Sequence, residues 1–416
     1  MKKSLIVLFA IAALGSYAAD IFVDYNTGKN RNPGTKEAPL ANFERAAKLA
    51  KPGDTIYILP SAKPICDSIR LQNLCGTPDK PITINAMNNI FIGSVPLDPK
   101  VWKEVKPGLY SKTLKTGRNW TSRYYMVIDG KMNRMGRVSK ASAKSAPYKK
   151  VADLAPGEWT IVRGAEVPSK GPHKQFNFEY FVRLPEGATL ADGRVMEPMR
   201  NKTEGVMVRG TTSNVIVKNI IVKNFHNDGY NIHGQCRNVH FENVASIYCG
   251  DDGISAHEAC EISLKNAVFI GCSTGICHVQ QARCTHENVY AEKINGRELF
   301  FTASTHNDFK NIFFLGDSAS GCLWIARNKS DVQTGKAENI VGVCNNPKAV
   351  FTIAGKGNVN VNFDQVQVTG YAKTSKRNGI TVSPKEDLLK KITAAKTELF
   401  AIFGGNLEKA LQNTGY

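Results

Sequence analysis

The sequence predicts an all-β protein, a single-stranded parallel β-helix with about 23 residues per rung, an antiparallel excursion and helical caps. Two tracks of residues with one period predict this coil. Asparagines recur at intervals of 24, 23, 22 and 23 residues, at Asn219, Asn243, Asn266, Asn288 and Asn311. A second track, glycine in four of five members, contains Gly229, Gly253, Gly275, Glu298 and Gly321. A period in the twenties is typical of a solenoid whose rungs bury their apolar faces on one another.

The first 18 residues have the pattern of a secretory signal peptide. Lys2 and Lys3 precede the apolar run 5–14, and Ser16-Tyr17-Ala18 provides a small-x-small cleavage site. This segment is too short to span a bilayer, and no later stretch approaches the roughly 18 uncharged apolar residues of a spanning helix. We therefore expect an exported chain, secreted or periplasmic, with no membrane span.

The charge of the chain favours anionic partners. Its formal net charge is +18, and removal of Lys2 and Lys3 with the signal leaves +16. For an exported chain an acidic polysaccharide fits this surplus better than nucleic acid, for which no binding motif is present. A basic surface without a charged ligand is the alternative. We expect a monomer that requires no cofactor, although calcium is considered below.

Seven of the ten cysteines fall into a stacked or a local group. Two sets lie one period apart and are expected to form buried columns, namely Cys236, Cys260 and Cys284, and Cys249 and Cys272. Cys66 and Cys75, outside the repeat, are expected to form a local disulfide. No Cys-x-x-Cys pair is present, which argues against a zinc or redox site.

The repeat divides the chain after the signal into four parts. Residues 19–95 contain strands and a short amphipathic helix near Phe43, and are predicted to form the N-terminal cap and first rungs. Residues 96–205 lose the period and hold strand-like pieces between turn signals, which predicts an antiparallel excursion. Residues 206–375 carry the central and C-terminal rungs. Residues 376–416 are predicted to be a C-terminal helical cap.

Two of these parts leave alternatives open. In the excursion, Trp102, Trp120 and Trp159 could stack on sugar rings or form the excursion's own small core. Near the C-terminus, Ser383-Pro384-Lys385-Glu386 has the form of a capping box that begins a helix. That helix is either a second cap or lies along the coil.

The glycine track places acids side by side. Asp228 and Asp252 each stand immediately before a track glycine, and Asp251 adjoins the second. Because strands of successive rungs lie about 4.8 Å apart, these carboxylates are expected to form one patch. Like charges repel, so at least one should hold a proton at neutral pH. A protonated acid beside an ionised base is what glycoside hydrolysis requires.

Two other interpretations of these acids stay open. Aspartate before glycine is common in turns, and each Asp-Gly by itself would indicate nothing more. Acid clusters on parallel coils can also hold calcium, which would serve a lyase as well as a structural site.

The acids resemble those of the polygalacturonases, secreted right-handed parallel β-helices that hydrolyse pectin. That family carries Asn-Thr-Asp-Gly, then Asp-Asp, then Gly-His-Gly on successive rungs, and finally Arg-x-Lys. The chain is similar at Asn227-Asp228-Gly229, without the threonine, and at Gly250-Asp251-Asp252. The segment 19–95 and the excursion resemble a broader set of secreted β-helix lyases and glycosidases, the pectin lyase-like proteins.

The resemblance implies that the coil is right-handed, and it implies roles for these residues. Asp252 would donate a proton to the leaving oxygen, while Asp228 and Asp251 would activate the water. Thr274 stands where the family has its histidine. Arg297 or Arg327 is expected to supply a cation from a later rung, in place of the family's Arg-x-Lys.

Histidines favour a second chemistry. His233 and His257 each lie four residues after a track glycine, so they should stack, and Glu258 adjoins the second. A lyase or epimerase needs a base to take the proton next to a uronate carboxylate. Ser255-Ala-His257-Glu258 resembles the Asp-Pro-His-Asp signature of β-helix mannuronan epimerases, with serine in place of aspartate. Structural histidines bonded to turn carbonyls are the alternative.

Three functions therefore stay open. The first is a secreted glycoside hydrolase that acts on an acidic polysaccharide through its aspartates. The second is a lyase or uronate epimerase that uses His257 or His233 with an arginine or lysine. The third is a non-catalytic solenoid that binds glycans. The substrate-binding candidates are Arg297, Arg327 and His278, the last of which is one position out of the histidine register.

Overall fold

The computed structural model describes residues 18–135, 146–169, 171 and 173–412. The predicted signal peptide, residues 1–18, lies outside the described residues except for Ala18. Among the described residues, no helix is both long enough and apolar enough to cross a membrane.

The chain is a parallel β-helix, as predicted. Its first rungs contain β1 (Asp20–Val23), α1 (Phe43–Ala47), β2 (Thr55–Ile58), β3 (Ile69–Gln72) and β4 (Ile82–Ile92). Helix α1 begins at Asn42, whose side chain accepts a hydrogen bond from the Arg45 amide, and it buries Phe43 and Ala46 against the first strands. The helix therefore lies against the N-terminal end of the apolar core.

An antiparallel excursion follows β4. Its elements are β5 (Ser94–Pro96), β6 (Lys103–Lys106), β7 (Leu109–Gly117), α2 (Arg118–Arg123), β8 (Met126–Ile128), β9 (Lys131–Asn133), a 3₁₀ turn (Val151–Asp153), β10 (Glu158–Val167), β11 (Gln175–Arg183) and β12 (Val195–Pro198). Within the described ranges these strands make two four-stranded antiparallel sheets, β10-β11-β7-β6 and β5-β12-β8-β9. Because β5 pairs with β12, the excursion leaves and rejoins the coil at one place.

The excursion has its own core. Trp102 and Trp159 are fully buried there, and the Trp102 indole donates to Glu197 at 3.0 Å. Lys112 pairs with the same carboxylate. These two tryptophans are therefore core residues rather than sugar-stacking platforms, whereas Trp120 stays partly exposed.

The remaining rungs alternate between two sheets. They are β13 (Val206–Arg209), β14 (Ser213–Lys223), β15 (Tyr230–Ile232), β16 (Arg237–Ile247), β17 (Asp252–Ala256), β18 (Glu261–Ile270), β19 (Thr274–His278), β20 (Arg283–Glu292), β21 (Arg297–Thr302), β22 (His306–Gly316), β23 (Gly321–Ala326), β24 (Val332–Cys344), β25 (Val350–Gly355), β26 (Asn358–Asp364), β27 (Val366–Thr369), β28 (Lys373–Thr374) and β29 (Ile380–Val382). Over the described residues, sheet A has 12 strands and includes the even-numbered β14 to β24, and sheet B has 9 and includes the odd-numbered β13 to β25. Neighbouring rungs pair in parallel in both sheets.

The asparagine track forms the predicted ladder. The side-chain amide of each asparagine donates to the side-chain oxygen one rung earlier, at 2.8–3.1 Å from Asn243 to Asn339. Every track residue has a φ between +51° and +59°, a left-handed conformation that asparagine tolerates better than other side chains do. The ladder is therefore structural, and it continues past the predicted track to Asn339 after a longer interval of 28 residues.

The cysteines inside the coil are buried as predicted, whereas the two outside the repeat do not form the predicted disulfide. All five members of the two predicted columns are buried in the core. Cys66 and Cys75 are free and exposed, so the predicted disulfide is wrong. Strand β3 alone places about 13 Å of extended chain between them, beyond the roughly 7 Å that a disulfide spans between Cα atoms.

Two helices, α3 (Lys385–Ala401) and α4 (Asn406–Leu411), lie along the coil on the outer face of sheet A. Helix α3 covers β24, β22, β20 and β18, and α4 covers β16, β14 and β4. Leu388, Leu399 and Leu407 are buried in this contact. The predicted capping box does not form, because Pro384 is the N-cap residue and no side chain caps the helix.

Candidate active site on sheet B

The three predicted aspartates meet where the strands of sheet B begin. One oxygen from each of Asp228, Asp251 and Asp252 lies within 4.8 Å of the others. Strand β17 starts at Asp252, which pairs in register with Thr274 of the next rung. The repeat thus brings together the acids that the glycine track predicts.

The Asp228 carboxylate is fixed by hydrogen bonds. It is buried, and it accepts hydrogen bonds from Asn231 at 2.5 Å, from the Ser255 hydroxyl at 2.6 Å and from the Asp252 backbone amide at 3.0 Å. Burial raises the pKa of Asp228, and these bonds together with the charge of Arg123 oppose that rise. Asp228 is therefore a fixed anchor for the backbone of Asp252.

Asp251 is paired with a cation from the excursion. The Arg123 guanidinium, at the end of α2, lies 2.5 Å from the Asp251 carboxylate and also donates to Asn227. Burial works against the charge of Arg123, but the attraction of Asp251, Asp228 and Asp252 outweighs it and raises the arginine pKa. A fixed cation of this kind favours the ionised form of Asp251.

The sequence analysis missed Arg123. It lies more than 100 residues before the aspartates in a segment without the period, so no repeat phase assigns it to the site. Trp120 anchors the same helix to the coil. Its ring stacks on the His226 ring at 3.9 Å, and its backbone carbonyl accepts a hydrogen bond from the His226 imidazole at 2.9 Å. A cluster of acids needs a positively charged partner, and this requirement was the signal that could have pointed to an arginine outside the repeat.

Asp252 is in the environment of a proton donor. Its side chain is only 8% exposed. Burial raises its pKa well above the ordinary value, and the charges of Asp251 and Asp228 add to that rise. The environment of Asp252 therefore favours its protonated form, as a proton donor requires.

The separation of the acids bears on the mechanism. Oxygens within 4.8 Å are closer than the roughly 6.5–9.5 Å of inverting glycosidases and near the roughly 5–5.5 Å of retaining ones. A water between Asp251 and Asp252, as an inverting reaction requires, would need a rotation of one of the two side chains.

The same cluster is a poor fit for calcium. Calcium takes 6–8 oxygen ligands at 2.3–2.6 Å. Here the oxygens of Asp228 already accept three hydrogen bonds, and the Arg123 guanidinium occupies one side of Asp251. The three carboxylates have the spacing for a cation, but Arg123 already supplies the positive charge.

His233 and His257 stack as predicted and lie outside the aspartate cluster, although the charge of Asp251 reaches His257. Their rings are 4.0 Å apart, and His233 contacts Glu258 at 3.1 Å. Burial and the neighbouring His233 lower the pKa of His257 to about 4, so its imidazole is neutral. His257 follows the end of β17, five residues and roughly 16 Å along the strand from Asp252.

His278 is not accessible to a substrate. It is fully buried inside the coil, where it accepts from the Ala256 amide and contacts the imidazole of His286 at 3.1 Å. The predicted substrate-binding role of His278 is wrong because the one-residue offset from His257 turns its side chain to the inner face of the sheet.

The two predicted arginines lie on the same outer face, beyond the acids. Arg297 pairs in register with Thr274, two rungs and roughly 10 Å from Asp252. Its guanidinium lies 4.2 Å from the centre of the Phe300 ring, and Arg327 approaches that ring to 5.8 Å. Neither forms an ion pair with the aspartates among the described residues.

Arg327 begins Arg327-Asn328-Lys329, which has the Arg-x-Lys spacing of the polygalacturonase pattern. The expectation that the chain lacks the family's Arg-x-Lys, with a lone arginine in its place, is therefore wrong. The tripeptide follows the end of β23, three rungs beyond Asp252 and at the opposite end of the strands. The structure therefore does not place it against the acids.

Glu298 stands in the glycine track and points inward. Ser318 donates to its carboxylate at 2.6 Å, and the side chain is fully buried. Burial raises the pKa of Glu298 to about 7. Glu298 is thus a buried acid of the core and lies outside the aspartate cluster.

Comparisons with known proteins identify no family. No family model matches the chain, and no curated protein matches it in sequence. Similar solved structures include XylC in complex with xylose, at 10% identity over 85% of this chain and 67% of that chain, with a TM-score of 0.44. Others are a GH136 lacto-N-biosidase from Eubacterium ramulus (12% identity, 88% and 68% covered, TM-score 0.33) and pectate lyase Pel9A (11%, 88% and 82%, 0.30). Likeness at this level carries no argument about function.

Proposed function

We propose that the chain is a glycoside hydrolase acting on an acidic polysaccharide, with Asp252 as general acid and Asp251 as its ionised partner. The observation that supports this is the unequal environment of neighbouring carboxylates. Among the described residues Asp252 is buried with no ion-pair partner, whereas Asp251 is paired with Arg123. One acid and one base within 4.8 Å are the groups that glycosidic cleavage needs.

The roles follow from proton transfer. Asp252 gives its proton to the glycosidic oxygen as the bond from that oxygen to the anomeric carbon breaks. Once one of the two side chains has rotated to admit a water between them, Asp251 takes a proton from that water as it attacks the anomeric carbon. Asp228 accepts from the Asp252 amide and so positions the acid, which differs from the water-activating role that the polygalacturonase resemblance implies.

Positive charge supports an anionic substrate. The chain carries a formal net charge of +18. Arg297 and Arg327 both lie against Phe300 on the outer face of the sheet that carries the acids. An aromatic ring flanked by guanidinium groups can bind both the apolar face and the acidic substituent of a uronate or sulfated sugar.

The test compares Asp252→Asn with the unchanged protein and with Asp364→Asn, a matched substitution at an exposed position. Each is incubated with neutral, uronate-containing and sulfated polysaccharides, and both new reducing ends and unsaturated uronates are measured. We expect reducing ends without unsaturation from the unchanged protein and Asp364→Asn, and none from Asp252→Asn. Reducing ends that survive in Asp252→Asn would remove the proposal.

A lyase or epimerase is the second candidate, and the neutral imidazole of His257 supports it. An imidazole with a pKa of about 4 is unprotonated at neutral pH and so able to accept a proton. His257→Gln decides between the two. We expect its hydrolysis to equal that of the unchanged protein; unsaturated or epimerised product that disappears in His257→Gln would favour the second candidate instead.

A further inference from the structure

A cavity of about 550 Å³ lies between the excursion and the turns of the coil. Residues of β8 and β9, together with Arg134 and Ala146, form one wall, and turn residues of three successive rungs form the other. That volume is within the usual range of small-molecule sites. The aspartates do not line it.

The described lining of the cavity is cationic. It contains Lys131, Arg134 and Lys293, and no aspartate or glutamate is among its described residues. Both lysine side chains are exposed and free to move toward a ligand. Three cations with no acid among the described lining residues make the cavity a site of positive potential.

Arg134 is fixed at the floor of this cavity. Its guanidinium donates to the backbone carbonyls of Cys249 and Gly271, at 2.8 and 2.9 Å. Burial lowers the pKa of Arg134 from its ordinary value, although an arginine with such partners stays charged. The wall on the excursion side is fixed as well, because the Trp159 indole donates to the side chain and carbonyl of Asn133 at 3.2 Å.

A glycine, Gly271, keeps the coil side of the cavity open because it has no side chain. Tyr248, Gly271 and Lys293 occupy one turn position on successive rungs, all with positive φ. A Cβ atom on Gly271 would lie 2.2 Å from the Tyr248 ring. The glycine therefore leaves room for the ring of Tyr248 and a notch between that ring and Lys293.

The cavity lies beside the candidate active site. Arg134 binds the carbonyl of Cys249, two residues before Asp251, and is close enough to feel the charge of that aspartate. The same turns therefore present the acids on one side and the cationic cavity on the other. A sugar chain bound across the aspartates can place a neighbouring residue in the cavity.

We propose that this cavity is a subsite for the oxyanion of a sugar residue, a carboxylate or sulfate ester, next to the bond that is cleaved. Lys131 and Lys293 bind the oxyanion, and Arg134 supplies fixed positive potential beneath it. The subsite rests on the proposed function for its role in catalysis, but its affinity for an anionic sugar does not depend on turnover.

The test measures binding by calorimetry on the Asp252→Asn background, so that no probe is consumed. The probes are a galacturonic acid tetramer, a sulfated chondroitin tetrasaccharide and the neutral cellotetraose. The test variant adds Lys131→Gln and Lys293→Gln, and the control adds Lys29→Gln and Lys36→Gln, which remove the same charge from exposed positions in the loop before α1.

We expect the test pair to weaken binding of an anionic tetramer about tenfold, as the loss of two exposed charge contacts should. The control pair should leave it unchanged, and the tetramer that is affected identifies carboxylate or sulfate. Equal weakening by both pairs, equal weakening for cellotetraose, or no binding of either anionic tetramer would overturn the subsite. Hydrolysis that survives in Asp252→Asn would overturn the proposed function alone.

Discussion

The outer faces of sheets A and B are built by the same repeat and differ in what covers them. On sheet A, the last residues of the long strands turn an apolar surface outward, with Ile247, Ile270 and Val343, and helices α3 and α4 bury it. On sheet B, the outward positions hold Asp252 and Ser255, and Arg123 of the excursion pairs with the adjacent Asp251. The face without a helical cover is the one that carries the aspartate cluster.

The difference shows how one coil separates stability from chemistry. Along sheet A, stacking places apolar side chains together, or opposite charges such as Lys218, Glu242 and Lys265, and these neighbours reinforce one another at each rung. Along sheet B, the same stacking places carboxylates together, and burial raises the pKa of Asp252. Substitutions on the two faces should therefore affect different measurements.

The largest effect is expected at Asp252. Asp252→Asn should lower kcat about 10²- to 10⁴-fold, because general acid catalysis is lost. The melting temperature should stay equal or rise, since a buried carboxyl beside two others is removed. Kinetics and thermal unfolding are measured in parallel with Asp364→Asn. A clear fall in melting temperature would mean that the acid also supports the fold.

Leu388→Ala should have the opposite effect, lowering stability and leaving activity unchanged. Leu388 is 1% exposed under the cover of sheet A, so its truncation should cost about 2–5 kcal/mol of unfolding free energy. Its half-buried neighbour provides the control, because Leu389→Ala should cost less. Activity at temperatures where both variants are folded should match the unchanged protein. A reduced kcat in folded Leu388→Ala would contradict the separation of the two faces.

Glu298 makes the stability of sheet B depend on pH. Because burial raises its pKa to about 7 from 4.5, the folded chain holds this proton more tightly than the unfolded chain does. Stability from this group is therefore present below about pH 4.5 and is lost as the pH rises to about 7, by about 3 kcal/mol in total.

Glu298→Gln should remove that contribution. Urea unfolding at pH 5 and pH 8 is compared for the variant and the unchanged protein. We expect the variant to gain stability at pH 8 relative to the unchanged protein, and to gain less at pH 5. A stability difference between the two proteins that is the same at both pH values would show that Glu298 does not titrate in this range.

The smallest effect is expected in the asparagine ladder. Asn243 donates to Asn219 and accepts from Asn266, and its φ is +54°. Asn243→Gly keeps the backbone conformation and loses the bonds, at about 1–2 kcal/mol. Asn243→Ala should cost about 1–2 kcal/mol more, because alanine disfavours that φ. Equal losses for the two would mean that backbone conformation adds nothing to the role of asparagine.

Most of the fold and the site that could be predicted followed from the positions of residues within the repeat. The repeat indicated the coil, the ladder and the meeting of Asp228 with Asp252, because residues one period apart must be neighbours in a parallel stack. It also led to the error at His278, since a shift of one residue exchanges the inner and outer faces of a strand.

Residues outside the repeat could not be placed in this way. Arg123 and Arg134 come from the excursion, and their contacts with the turns of the coil depend on how two antiparallel sheets dock. The course of α3 along the coil depends equally on tertiary packing, because its apolar residues fit a position on the end or on the side. Local sequence patterns predicted the strands and helices there, but not which parts of the coil they contact.

The two C-terminal helices have a consequence for how the coil opens. A solenoid normally gains stability one neighbour at a time, and its ends are independent. Here Asn406 donates to the Asn88 carbonyl across 318 residues, and Lys396 pairs with Glu292 along the way. Residues of the two C-terminal helices therefore connect the early rungs directly to the later ones. We expect hydrogen exchange to show the early and late rungs opening together, and separate opening would contradict this coupling.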